Sequence, residues 1–555
     1  MSTEGNYSAR DVGNISFPFN NGSNFSEEKL AFGLHIVDGA IIIAYLLFSI
    51  GMGIYLGRKH ETAADYFLAG RSTTWPFIGL SLFASDVSSS SLVGLAGDAY
   101  STGISVFNYV WMASVSLIFV AVFFIPTILR LELYTMPEFL ERRYNAATRY
   151  YLSGLSVLIS IIGSTASGLF AGSLIMNMIF PQLKVWHSVA ILAVISGAYT
   201  ISGGLKAVIY TDAFQSVVLL LGSVLISIYA LIEAGGWSAV KSAVPPEALS
   251  LIRPVDDPGV PWTGLISGIP MLGLYYWCCH QTIAQRILSS KDSNQGRLGC
   301  LLAGLLRIPV LFIMVLPGTM ARLIYPDLPK ADLVYPTLLF RLLPTGIRGI
   351  VLSGFLAALM SQVDSILNST STLVTMDFVK KLKPELKDKQ LLNIGRFVTF
   401  LFIVISVCWA PTLQNFSSLY KFSQKLLSYM IPPIVAVYMG GFFWKGANVY
   451  GAITALVLGN VWGVALFVII QVVELFEMHF LHTASILFVL SALSLVVVSL
   501  IVAKPCTEDQ LKVTWSMEQF AEEIKSCKEL PLWKNYFLYC VLLMIATLVV
   551  ICFFW

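Results

Sequence analysis

The stretch SLFASDVSSSSLVGLAG, Ser81 to Gly97, is the part of this chain that an ordinary membrane helix cannot explain. It lies within an apolar run long enough to cross a bilayer, yet carries Asp86 and four consecutive serines, followed by Gly94 and Gly97. A carboxylate at bilayer depth costs about 2.5 kcal/mol on insertion scales. Irregular backbone at that depth survives only where protein buries it or where it lines a watery cavity. The run therefore reads as a break in a helix rather than a span facing lipid.

Of the 555 residues around it, 56% are hydrophobic and only 12% charged, with a mean hydropathy of +0.76. A soluble chain carries about twice that charged share. The fold class is therefore all-α and polytopic, with the lipid bilayer as first partner. Fourteen helices are expected, near 34–57, 76–98, 105–130, 148–179, 186–203, 207–234, 262–286, 296–325, 346–378, 391–412, 416–443, 447–474, 482–503 and 534–555. The formal charge of +3 gives no reason to expect nucleic acid. No HExxH, Walker loop or soluble catalytic domain points to an enzyme, and no obligate protein partner is evident. The eight cysteines lack zinc-ligand spacing and read as small apolar residues.

Residues 1–33 are polar and lack the basic leader and cleavage site of a signal sequence. They hold four sequons, at Asn6, Asn14, Asn21 and Asn24, which fit either a glycosylated external tail or an Asn/Ser-rich tail in which sequons arise by chance. With that tail outside, the inner loops collect Arg58, Lys59, Arg71, Arg142, Arg143, Arg286, Lys291, Arg297, the five lysines between Lys380 and Lys389, and Lys445, Lys504, Lys512, Lys525 and Lys528. The outer loops hold only Lys184, Lys241, Arg253, Arg322, Lys330 and Arg341. This asymmetry predicts both termini outside a cell membrane.

The seventh span, WTGLISGIPMLGLYYWCCHQTIAQR, is interrupted by Gly268, Pro270 and Gly273 and lies five spans after the broken second one. Interrupted segments at matching places in two halves suggest an inverted-repeat transporter. The first repeat is expected over 76–234 and the second over 262–443, with 34–57 and 447–555 peripheral. In the ninth span Ser361, Asp364, Ser365 and Asn368 fall at i, i+3, i+4 and i+7, hence on one helix face. Hard oxygen donors on one face suit a small alkali cation, and equally suit interhelical hydrogen bonds. Asp86 reads as a cation or substrate contact, or as a bundle hydrogen bond. Asp212, near the end of its span, is either a third such acid or a solvated interfacial one. Arg307 is an intramembrane cation in need of a polar partner. Tyr275, Tyr276 and Trp277 follow the interruption and fit a substrate platform or ordinary packing.

DYFLAGRS (65–72), YTMPEFLERRY (134–144), YTISGGLKAVIYTDAFQ (199–215), YYWCCHQTIAQRILSSKD (275–292) and SILNSTSTLVTMD (365–377) resemble the sodium/solute symporter family, nearest its sodium/glucose branch. The resemblance implies a five-plus-five inverted-repeat, LeuT-like core and co-transported Na+. It implies a sodium site built from Ala84, Val87 and Ala358 carbonyls and the Ser361 hydroxyl, with Asp86 beside them and Gln362 where a second hydroxyl is usual. Asp212 and Ser365, with Asp364 in place of a hydroxyl, match a second cation site of some members. Tyr276 matches the inner-gate tyrosine with Trp277 beside it, Gln281 of the same motif is expected among the solute contacts with Asp86 and Ser91, Gln424 matches a sugar-contacting glutamine and Arg307 replaces a lysine. Ser91 and Val110 stand where sugar-contacting residues would be. The solute is expected to be a small polar molecule, a sugar or cyclitol; a monocarboxylate, an amino acid, or an uncoupled sensor or uniporter is the alternative.

Overall fold

The computed structural model describes residues 33–58, 62–415, 419–528, 531 and 535–555. The sequons at Asn6, Asn14, Asn21 and Asn24 lie outside them. Among the described residues nine helices are long and apolar enough to cross a membrane, or twelve if each of three bent pairs is one span. Two of the fourteen expected spans fall outside this count. Val185–Gly197 is short, and the 262–286 stretch is divided into Trp262–Leu274, a π-helical Tyr275–Cys279 and Gln281–Leu288.

Burial separates the centre from the rim. In Ile347–Leu382, 89% of the apolar window is covered by protein, against 17% in Ile36–Leu56, 22% in Phe480–Val502 and 28% in Tyr536–Phe553. The last three expose rows of Leu, Ile, Val and Phe that only lipid can cover. Ile347–Thr372 packs most extensively on the helical run Val185–Glu233. Glycines permit that crossing: a Cβ on Gly354 would stand 3.1 Å from the Val218 carbonyl oxygen, and one on Gly222 3.3 Å from Val351 Cα. Without a hydrophobic drive between helices in lipid, such close backbone approach supplies the contact. Gly204, at φ +57 and against the Tyr66 carbonyl, turns the chain where the fifth expected span ends.

The Ser81–Gly97 stretch is broken. Trp75–Asp86 and Ser89–Thr102 meet at a 60° bend, with Val87 at φ −81, ψ 87 and Ser88 extended. Each serine has its own task. Ser88 caps the second half-helix by accepting from the Ser91 amide at 3.0 Å, and its hydroxyl lies 2.9 Å from that of Ser90 and 2.8 Å from that of Ser91. Ser89 donates to the Gly168 carbonyl at 3.1 Å, while Ser85 donates to the Ser81 carbonyl at 2.7 Å.

Three expectations change. The seventh span does not break at Gly268, Pro270 or Gly273; the helix continues to Leu274 and departs from helical geometry only at His280. Gly268 and Gly273 instead admit Leu481 and Ser116 against the backbone. The further sharp bends are in the eighth span, 41° between Ser293–Arg307 and Leu311–Ile324, and the eleventh, 51° between Gln424–Met430 and Pro432–Phe443. Pro309 and Pro432 withdraw backbone donors there. Finally, Arg143 and Arg286 are not loop charges, since both are fully buried.

Candidate functional site

The break leaves carbonyls without helical partners, and the central helix supplies a hydroxyl to meet them. Ser361 Oγ lies 2.9 Å from the Ala84 carbonyl oxygen and 3.2 Å from that of Ala358. Three neutral oxygens from the break and from Ile347–Leu382 therefore converge, fully shielded by protein. Val87 follows at the bend itself, its side chain buried. Gln362 donates through Nε2 to the Ser164 carbonyl at 3.0 Å, and its Oε1 is buried without a hydrogen-bond partner.

One turn deeper is a second polar cluster. Asp212 Oδ2 accepts from Ser81 Oγ at 2.6 Å and Ser85 Oγ at 3.2 Å, and pairs with Arg286 Nη2 at 3.1 Å. Arg286 also donates to Ser81 Oγ at 2.8 Å through Nε, to the Thr282 carbonyl at 2.5 Å and to Ser365 Oγ. Ser365 Oγ is 3.0 Å from Ser85 Oγ and 3.2 Å from Asp364 Oδ1. Asp212, Asp364 and Arg286 are all fully buried. Asp212 and Ser365 are thus joined by groups of this chain, the Arg286 guanidinium and the Ser85 hydroxyl. Asn368 is one turn further along, its Oδ1 accepting from Gln285 Nε2 at 3.1 Å.

Beside the break lies a cavity of about 200 Å³. Its lining includes Asp86, Val87, Ser88, Ser90 and Ser91 from the break, Val110, Gln362, Gln424, Arg307 and the aromatic group Tyr275, Tyr276 and Trp277. The Asp86 carboxylate, expected beside the sodium ligands, forms an ion pair with Arg307. The guanidinium carbon of Arg307 also stands 5.4 Å from the Trp277 ring centroid and 5.8 Å from that of Phe83. Tyr276 meets Trp277 edge-on at 5.3 Å. Gln281 is outside the cavity: its Oε1 accepts from the Met136 amide at 2.8 Å and its Nε2 donates to the Tyr134 carbonyl at 3.2 Å.

Arg286, in the buried cluster, and His280, in the cavity lining, are the residues that pattern reading passed over. Arg286 stands at the end of an apolar span, where a basic residue usually marks the membrane surface. Charge was the available signal: Asp212 lies within an apolar span and calls for a partner of opposite charge.

Comparison with known proteins places the fold and the family. The model of the sodium:solute symporter family matches residues 66–459. Sodium/glucose cotransporter 1 of Oryctolagus cuniculus is 34% identical over 549 residues, covering 88% of this chain and 82% of that one. The sodium/mannose cotransporter SLC5A10 of Bos taurus is 35% identical over 534 residues, covering 87% and 89%. Sodium/myo-inositol cotransporter 2 of Oryctolagus cuniculus is 33% identical over 532 residues, covering 86% and 78%. Among solved structures, a Na+-coupled sialic acid symporter superposes with a TM-score of 0.74 at 22% identity, over 84% of this chain and 98% of that one. The nucleobase-cation symporter Mhp1 superposes with a TM-score of 0.56 at 14% identity, over 82% and 98%. Shared fold, shared length and a third of the residues in common carry one conclusion: the chain belongs to the sodium:solute symporter family, whose members are membrane transporters and not enzymes.

Proposed function

We propose that this protein is a sodium-coupled symporter of a neutral polyhydroxylated solute, a sugar or cyclitol, working by alternating access through fourteen helices and a five-plus-five inverted-repeat core. One observation carries the coupling. The same broken segment gives the Ala84 carbonyl to the Ser361 cluster and, from the next residue on, lines the solute cavity with Ser85, Asp86, Val87 and Ser88. A cation held by Ala84, Val87, Ala358 and Ser361, with the orphaned Gln362 oxygen as the further ligand, stiffens that segment and so shapes the cavity wall. Linkage then requires sodium and solute to raise each other's affinity by the same factor.

The solute class follows from charge. Asp86 and Arg307 neutralise each other in the cavity wall, so a neutral ligand adds no uncompensated charge. Their donors and acceptors, with the serine hydroxyls and the aromatic face, suit a ring of hydroxyl groups. The named activities of the glucose, mannose and myo-inositol relatives support the same class. A carboxylate or amino acid is the second reading, favoured by Arg307 and by the half-helix Ser89–Thr102, whose N-terminus opens on the cavity.

We place the cycle in the cell membrane with both termini outside, because the lysine-rich 380–389 segment keeps the inner charge excess even after Arg143 and Arg286 are removed from the tally. A sodium ion crossing about 100 mV releases about 2.3 kcal/mol. A tenfold inward gradient adds about 1.4 kcal/mol. Together they limit accumulation by one sodium to about 500-fold. Uptake into proteoliposomes tests the reading, with glucose, mannose, myo-inositol, lactate and alanine offered under a sodium or a choline gradient. Sodium-dependent accumulation of a polyol above its outside concentration is expected. Uptake of lactate or alanine alone would replace the solute class, and equilibration without accumulation would replace the symporter by a uniporter.

A further inference from the structure

The chain leaves helical geometry a second time within the membrane at His280, extended at φ −72, ψ 124 between the π-helical Tyr275–Cys279 and Gln281–Leu288. Its backbone is satisfied: the amide donates to the Tyr275 carbonyl at 2.9 Å, and its carbonyl accepts from the Ala284 amide at 3.0 Å. Its side chain is not. Although at the N-cap of Gln281–Leu288, the imidazole makes no capping bond. The residue is 8% exposed, and Nδ1 is buried with no hydrogen-bond partner.

The ring is held by aromatic contact alone. Tyr276 stacks on it at 5.4 Å and 11°, and Tyr275 meets it at 5.7 Å and 66°. It lines the solute cavity together with Asp86, Trp277 and Arg307. A phenylalanine would satisfy the stacking without burying an unpaired polar atom, which is unfavourable. The orphaned nitrogen therefore points to a hydrogen bond made in another state of the cycle, when solute enters and Tyr276 shifts.

We propose that His280 is a specificity-determining solute contact, whose imidazole hydrogen-bonds one hydroxyl of the solute under the cover of Tyr276. A neutral imidazole offers one donor and one acceptor, and a hydroxyl is both, so it fits either nitrogen. A carboxylate only accepts and an ammonium only donates. The inference deepens the polyol reading and rests on it.

The test uses full-length protein in proteoliposomes with glucose, mannose and myo-inositol as probes, and then the monodeoxy analogues of whichever is accumulated. In the wild type, loss of one particular hydroxyl should raise half-saturation by about tenfold. In His280→Phe the parent solute should lose affinity by about the same factor and the penalty at that hydroxyl should vanish, with sodium half-saturation in the absence of solute unchanged. His280→Gln, which keeps a donor and an acceptor, should recover part of the affinity and stands in if the Phe variant folds poorly. A variant that keeps the full penalty at every hydroxyl overturns the assignment of His280 while leaving the polyol reading intact. A wild type that accumulates none of the three probes overturns the polyol reading, and this contact with it.

Discussion

The Ser361 hydroxyl and the Ala84 carbonyl face each other at 2.9 Å across the gap between an unbroken helix and a broken one. A hydrogen bond to a charged group contributes about 1.5–3 kcal/mol, and replacing a cation ligand by a methyl group forfeits a term of that order. Ser361→Ala should therefore raise the sodium half-saturation of uptake at least about tenfold. Gln362→Ala should act in the same direction through loss of its buried Oε1. Initial rates titrated with sodium measure both, and unchanged half-saturation in Ser361→Ala would remove the cation from this cluster.

The Asp86–Arg307 pair has its own signature. Removing one member of a fully buried pair costs about 3–5 kcal/mol, because the other charge is left stranded. Asp86 has a side chain 17% exposed, so the low end applies. Asp86→Asn and Arg307→Gln should each lower thermal stability and raise the half-saturation for solute more than for sodium. The double variant should be more stable than the sum of the two losses predicts, by at least about 1 kcal/mol. Additive losses in the cycle would mean that the pair is not coupled.

Much of this site is legible in the chain because its signals are penalties. An acid and four serines at membrane depth demand a break, and the break is there, between Asp86 and Ser89. The shared face of Ser361, Asp364, Ser365 and Asn368 follows from helical spacing alone, and it lies in a helix buried on all sides. What periodicity cannot supply is the partner in space. Asp86 finds Arg307 far along the chain, and Asp212 finds Arg286, a residue that local reading assigns to a loop. Gly268, Pro270 and Gly273 mislead for a related reason: glycine serves close packing as readily as it serves a break, and here Leu481 and Ser116 occupy the space it leaves.

Outside the membrane-spanning segments, Glu141 closes a small latch at the inner face. It accepts from Arg149 Nη1 at 2.5 Å and from Lys381 Nζ at 2.6 Å, tying the Met136–Arg143 helix to the end of the central one. Burial pushes its carboxyl up, but the two cations outweigh burial and hold it below the ordinary carboxylate value. A lowered folded value means that the stabilisation is complete above the unfolded value of about 4.3 and disappears as pH falls through the folded one. Water screens the pair, so the effect is at most about 1 kcal/mol. The melting temperatures of wild type and Glu141→Gln should differ by a constant amount above about pH 5 and converge as pH falls through the lowered folded value. A gap that persists at low pH would assign the stabilisation to packing rather than charge.

Arg286 bears on stoichiometry. Its guanidinium pairs with Asp212 and donates to Ser365, the two residues that a second cation would share. A positive charge already resident there makes one sodium per solute the expected ratio, hence one elementary charge carried per neutral solute molecule. Simultaneous measurement of current and tracer uptake gives that ratio directly, and a value of two would mean that Arg286 leaves the cluster during the cycle. Arg286→Gln strands Asp212 and should cost about 3–5 kcal/mol of stability. Adding Asp212→Asn should restore part of it, because the paired change removes the Asp212 and Arg286 charges together and leaves Asp364 as the buried acid of the cluster. The ratio in that double variant should remain one, since the Ala84, Ala358 and Ser361 oxygens proposed to hold the transported ion are untouched.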